Sequence, residues 1–388
     1  MELKNNKHLK YALTLLSFSL VVGSSCAQEK DTRSGISINT PEIAEDPKNY
    51  TVETIVEGFD DPWGMDFLPD GSILVSEKAG TLYLVKDGKK TEVKNAPEVS
   101  SRGQGGLLDI MLHPDFENNS WVYFSIASSE GEEEGANTAV VRAKLNGSEL
   151  TDHETIYKAS PNTKKGQHFG SRLAFDDKGY LYFSAGERGD RDNNPQDITR
   201  DNGKIYRLHD DGSIPKDNPF VNEANAKKAI YSYGHRNPQG MIFHPKYKEI
   251  WVNEHGPQGG DEINIVKKGA NFGWPVISYG INYDDSMLTE NTSKEGMEQP
   301  IYYWVPSIAP CGFAVVPEET YPDWAGSLLV GSLKFQYLEL LQMDGKKVIG
   351  RTKLLDGMGR LRNVKIGPDN HIYAAIGGKG IVKIIPKK

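Results

Sequence analysis

Six copies of one strand-turn-strand phrase constrain this chain more than any other feature. They read GMDFLPDGSILVSE from Gly64, LDIMLHPDFENNSWVYFSIA from Leu108, RLAFDDKGYLYFSAGE from Arg172, GMIFHPKYKEIWVNE from Gly240, GFAVVPEETYPDWAGSLLVGS from Gly312 and RNVKIGPDNHIYAAIGG from Arg362. Each joins an apolar strand to an alternating one through a turn of the Pro-Asp-Gly kind. Proline presets φ at the first central position, and Asp and Gly tolerate the next ones, so each phrase closes locally into a hairpin. Sheets of this size bury their faces against neighbours, and a ring of them removes the exposed edges. The expected fold is all-β, a six-bladed β-propeller over 50–388, with the strand around Thr51 to Val56 completing the last blade. Uneven spacing between copies places insertions between blades, and long loops on one face are where a site would be built.

The first residues carry a different instruction. Lys4, Lys7 and Lys10 precede an apolar run from Tyr11 to Val22 and the small residues Gly23-Ser24-Ser25-Cys26-Ala27, the layout of an export signal over 1–27. Two processing routes are open. Cleavage after Ala27 gives a soluble periplasmic protein; cleavage before Cys26 gives a lipidated cysteine, an outer-membrane anchor and a polar tether over 28–49. Either way Cys311 is the only cysteine left in the folded domain, so no intrachain disulfide supports it. The net charge of −8 argues against a nucleic-acid partner, because phosphate binding requires a positive surface.

Polar clusters interrupt the repeats next to strand ends. Arg102-Gly103-Gln104-Gly105-Gly106 is a tight turn leading into the second phrase, and a turn is all that such glycines need to mean. Gln167-His168-Phe169-Gly170-Ser171-Arg172 precedes the third phrase, whose other end carries Gly186-Glu187-Arg188. Pairing of those strands puts His168 and Glu187 at one end of a hairpin, where a carboxylate can hold an imidazole in one tautomer, as a general base requires. Gly234-His235-Arg236-Asn237 and Gly359-Arg360-Leu361-Arg362 add cations, with Lys334 near the inner edge of the fifth phrase. Converging cations repel unless an anion lies between them, so the set implies a small polyanion, or else a solvated charge cluster. Asn253-Glu254-His255-Gly256-Pro257-Gln258-Gly259-Gly260-Asp261-Glu262 offers turned-out carbonyls and hard carboxylates, which suit calcium; an acidic surface loop is the alternative.

Taken in order, RGQGGLLDI, QHFGSRLAFDDKGYLYFSAGE, GHRNPQGM, NEHGPQGGDEIN, NFGWP, YYWVPSIAPCGF, GSLKF and GRLRNVKIGPDN resemble the glucose/sorbosone dehydrogenase family from about Tyr50 to Ile385. The resemblance implies pyrroloquinoline quinone contacted by Gln104, Arg236, Asn237, Lys334, Arg360 and Arg362. It implies one calcium on the carbonyls of Gly256 and Pro257, and a second using Glu262 and the Phe272 carbonyl. His168 would be the base that takes a proton from the anomeric hydroxyl of an aldose, Glu187 would orient it, and Arg172 would help position nearby groups. The electrons would leave to an external acceptor. Tyr303 and Trp304 are candidate walls for a sugar face. Two departures from the soluble glucose dehydrogenases bear on the sugar. Gln167 replaces an acidic residue before the base, and Glu187 replaces the aspartate partner. A non-catalytic binding propeller and a calcium-dependent sugar lactonase are the competing classes, and neither accounts for Arg236, Arg360 and Arg362 together.

Overall fold

The computed structural model describes residues 41–387, so the expected export signal lies outside the described residues, as does most of the tether. Each of the six phrases supplies the first two strands of its own antiparallel sheet. In chain order the innermost strands are Pro62–Phe67, Leu107–Leu112, Leu173–Phe175, Pro238–Phe243, Pro310–Val315 and Leu361–Ile366. They touch one another in that order, and the sixth returns to the first, which closes the ring. The second strands ILVSE, LYFSA, IWVNE, LLVGS and IYAAI are buried at every position, as expected where a sheet has a neighbour on both faces. Tyr50–Glu57 pairs with Gly380–Pro386 as the outer strand of the sixth blade, so the two ends of the propeller chain share one sheet, as the sequence predicts.

The core is divided by the ring. Each seam between adjacent blades holds one buried apolar cluster, for example Leu74, Leu107, Val122 and Phe124 between the first and second, and Trp251, Ile263, Phe313 and Leu341 between the fourth and fifth. Polar clasps hold the inner ends together. Ser76 Oγ accepts the Gly64 N–H at 2.8 Å and donates to the Leu108 carbonyl of the next blade at 2.5 Å. Ser125 repeats the arrangement between Asp109 and Ser171, and Ser184 does so between Arg172 and Pro238. Asn253 replaces serine in the fourth blade and donates to Gly312 O at 2.8 Å.

Two expectations are corrected. The long insertions lie within blades rather than between them: 186–203 joins the second and third strands of the third blade, and 266–301 joins the third and fourth of the fourth. The expected tether also reaches into the fold, because Ile43–Ala44 pairs in parallel with Lys347–Leu354 and gives the fifth blade an extra strand. The described residues include one short α-helix, Phe116–Asn119, and one 3-10 turn, Pro322–Trp324.

Candidate active site

All inner strands start from the same end of the ring, so the segments that precede them, together with the ends of the second strands, gather on one face. The sequence-predicted clusters at 102–106, 167–172, 234–237, 255–262, 334 and 359–362 all fall there.

The candidate base, His168, sits on a strained loop. His168 has φ +56°, and its N–H donates to Gln104 Oε1 at 2.8 Å. Gly103 makes that approach possible, because its φ is +64° and a Cβ there would collide with the Gly166 carbonyl. The RGQGG turn is therefore part of the base's support and more than a turn. His168 Nδ1 bonds Glu187 Oε1; the ring is 14% exposed and the carboxylate 2%. An ionised carboxylate only accepts, so Nδ1 carries the hydrogen and Nε2 is left as the basic nitrogen. Burial, then the Arg236 charge, hold the imidazole below its ordinary pKa, against the opposing pull of Glu187. The ring is neutral at pH 7 and can accept a proton.

The cations gather beside it. Arg236 is buried, donates through Nη1 to the carbonyls of His255 at 3.1 Å and Gly256 at 2.9 Å, and lies 5.2 Å from the Trp274 ring centre. Its N–H is fixed by Glu254 Oε2, whose other oxygen meets His235 Nδ1 at 2.8 Å. Arg362 pairs with Asp61 at 3.1 Å, while Arg360 is exposed and donates to Leu333 O at 3.2 Å beside exposed Lys334. Partial desolvation and then the neighbouring Arg362 charge lower the Arg360 pKa, a repulsion that a bound anion would relieve. Asn237 accepts the Gly170 N–H at 3.0 Å, but its buried Nδ2 has no partner. An orphaned buried donor adjoining Arg236, with Arg360 and Arg362 on the same face, fits a small polyanion with acceptor oxygens.

The calcium expectation fits in part. The Gly256 carbonyl, expected to bind metal, accepts from Arg236, so its oxygen is turned toward positive charge. Glu262 shares the Asn264 amide with Glu254, at 3.0 and 3.1 Å. Burial and then that second carboxylate push Glu262 up to about 8, a conflict that a hard cation would relieve. Phe272 stacks on His235 in the same cluster, with ring centres 4.6 Å apart. Asp261 differs. Its oxygens are filled by Ser307 Oγ and the N–H groups of Gly256, Ile308 and Ala309, so it organises loops and is not free for a metal. Among the described residues no three His, Cys, Asp or Glu side chains converge on one point, so any metal here leans on carbonyls.

Other assignments need correction. Arg172 points into the ring axis, where it bonds Asp109 at 2.9 Å, the Gln239 carbonyl at 2.7 Å and the Arg362 carbonyl at 2.7 Å, and stacks on Trp63. With Cys311 Sγ also at 3.3 Å, it ties its own blade to the other five, and no hydrogen bond joins it to His168 or Glu187. It also lines an axial cavity of about 490 Å³ that opens among the far ends of the inner strands, away from the site. Trp304 is 2% exposed, lies in the seam core and donates to Glu339 at 3.1 Å; Tyr303 is buried and stacked on Tyr279. Neither ring presents a face to a sugar.

The sequence did not flag Arg188 or Asn194. Arg188 is 1% exposed, stacks on Phe169 and donates to the carbonyls of Lys165 and Gln167, both just before His168. Asn194 Nδ2 holds the Glu187 carbonyl at 3.0 Å. Gln167 itself is half-buried, with its side chain against Gly189.

The propeller ring and the polar cluster on its face agree with the sequence comparison: the chain belongs to the Glucose / Sorbosone dehydrogenase family, whose model it matches over residues 59–382. It is 40% identical over 335 residues to "Aldose sugar dehydrogenase YliI" of Escherichia coli (strain K12), covering 84% of this chain and 90% of that one. It is 30% identical to "Quinoprotein glucose dehydrogenase B" of Acinetobacter calcoaceticus, covering 86% and 73%. The PQQ-bound aldose sugar dehydrogenase structure from Streptomyces coelicolor superposes with a TM-score of 0.71 at 29% identity, over 88% of this chain and 99% of that one.

Proposed function

We propose that the chain oxidises aldoses at the anomeric carbon to lactones, with pyrroloquinoline quinone and calcium as cofactors, and passes the electrons to an external acceptor. The observation that carries this reading is the neutral His168, held through Nδ1 by buried Glu187, near the Arg236 charge and a buried Asn237 Nδ2 that has no partner. When bound, the quinone supplies the hydride acceptor and calcium polarises its carbonyl. Arg236, Arg360, Arg362 and Lys334 would hold the carboxylates, and Gln104 and Asn237 would supply neutral donors. The Pro257 carbonyl, together with the Gly256 carbonyl once it is released from Arg236, would hold the first calcium, and Glu262 with the Phe272 carbonyl the second. His168 Nε2 takes the proton from the anomeric hydroxyl as the hydrogen on that carbon leaves with its electron pair, so the sugar loses two electrons and two hydrogens. Export along either N-terminal route, soluble or anchored through Cys26, would place the reaction in the periplasm or at the outer membrane.

The test is reconstitution of the apo-protein with quinone and calcium, followed by dye reduction with an aldose panel. His168→Ala should lower kcat by about 10²–10⁴-fold with quinone affinity kept. Full activity in that variant would remove the base assignment, and no dye reduction by any aldose after confirmed quinone binding would contradict the reading.

A further inference from the structure

With Tyr303 and Trp304 buried, the sugar needs another apolar surface, and the site face offers one on an unexpected segment. The 266–301 insertion climbs back over the fourth blade and presents a loop whose Tyr283 is 73% exposed and whose Met287 is 57% exposed. An apolar ring left in water contributes nothing to folding, yet this loop is built to hold it there.

The bracing comes from both walls of the site. Gln258, in the carbonyl-rich phrase, donates through Nε2 to Asn282 O at 2.8 Å and to Asp285 Oδ1 at 2.7 Å. Arg191, four residues after the partner of the base, donates to Asn282 Oδ1 at 2.7 Å. The loop closes on itself, with the Asn282 N–H donating to Ser286 O at 3.0 Å and the Asp284 carboxylate accepting from the Ser286 hydroxyl at 2.6 Å. Arg236, which also faces the Gly256 carbonyl, donates to the Tyr283 hydroxyl at 3.4 Å. The phenol edge is thus anchored on a cation of the cradle while the ring remains open to solvent.

We propose that Tyr283 is the platform on which the apolar C–H face of the pyranose rests, and that it sets sugar affinity and preference. The inference rests on the dehydrogenase reading above. A ring with one wet edge and one apolar face matches a pyranose, which has hydroxyls around its rim and C–H bonds on its face. A residue in this role changes how tightly sugar is held more than how fast it reacts.

Tyr283→Ala, Tyr283→Phe and, as a remote exposed control, Ile349→Ala are compared in the quinone- and calcium-loaded full chain. Quinone affinity is read separately, by quenching of tryptophan fluorescence. Tyr283→Ala should raise KM for glucose about tenfold, with the loss falling on KM rather than kcat; Tyr283→Phe, which keeps the ring, should raise it less than about threefold. Unchanged KM in Tyr283→Ala would overturn the inference. So would equal damage from both variants, which would assign the effect to the hydroxyl on Arg236, or a parallel loss of quinone affinity, which would make Tyr283 a cofactor contact. A wild-type protein that binds no quinone would instead sink the dehydrogenase reading. Tyr283 is then judged by saturation-transfer NMR of glucose on the apo-protein, where loss of signal in Tyr283→Ala supports the platform and an unaltered or absent signal overturns it.

Discussion

The protonation of His168 is set by burial and two charged neighbours acting in different directions. Burial and Arg236 favour the neutral ring, and Glu187 favours the protonated one while fixing the tautomer. A base must be unprotonated to work, so kcat/KM should rise with pH through the His168 pKa, and the midpoint of that acid limb should fall below about 6.5. Replacing Glu187 by Gln removes the group that raises this pKa. The limb should move further down while the maximum rate drops about a hundredfold through the lost tautomer control, as a pH–rate profile would show. An upward shift would contradict the assignment. The His168–Glu187 pair was legible because a hairpin brings its two ends together. Arg172 was misread because its partners come from five other blades, and nothing local to residue 172 records them. Tyr303 and Trp304 failed for the same reason: a strand-end aromatic looks alike in sequence whether it meets a seam or a sugar.

At the level of the elements, the repeated phrase encodes more than strands. The serine near the end of the second strand recurs at Ser76, Ser125 and Ser184 because it accepts an N–H freed where the inner strand opens and passes its own proton to the next blade. Ser125→Ala leaves the Asp109 N–H and the Ser171 carbonyl without this partner, and should cost about 1–3 kcal/mol in urea denaturation. A change below about 0.5 kcal/mol would show that the clasp is dispensable. The hairpins themselves were readable because Pro-Asp-Gly turns act locally. The placement of the insertions was not, because the third and fourth strands of each blade carry no common phrase, and the spacing between copies cannot say where within a blade the extra residues fall. Ile43–Ala44 escaped notice for a related reason, since two residues pairing on an outer edge have no periodicity to detect.

Across the whole molecule, ring closure brings six local segments to one face, so a base from the third blade, a guanidinium from the fourth, an ammonium from the fifth and two guanidinium groups from the sixth can act on one ligand. On the proposed function, that convergence would let a chain with net charge −8 cradle a polyanion. The decisive measurement is the absorption spectrum of the quinone-loaded protein, taken anaerobically before and after an aldose is added, with and without calcium. The account predicts calcium-dependent quinone binding and a prompt aldose-dependent change in the quinone bands that is lost in His168→Ala. A spectrum that no aldose alters, in protein shown to hold the quinone, would contradict it.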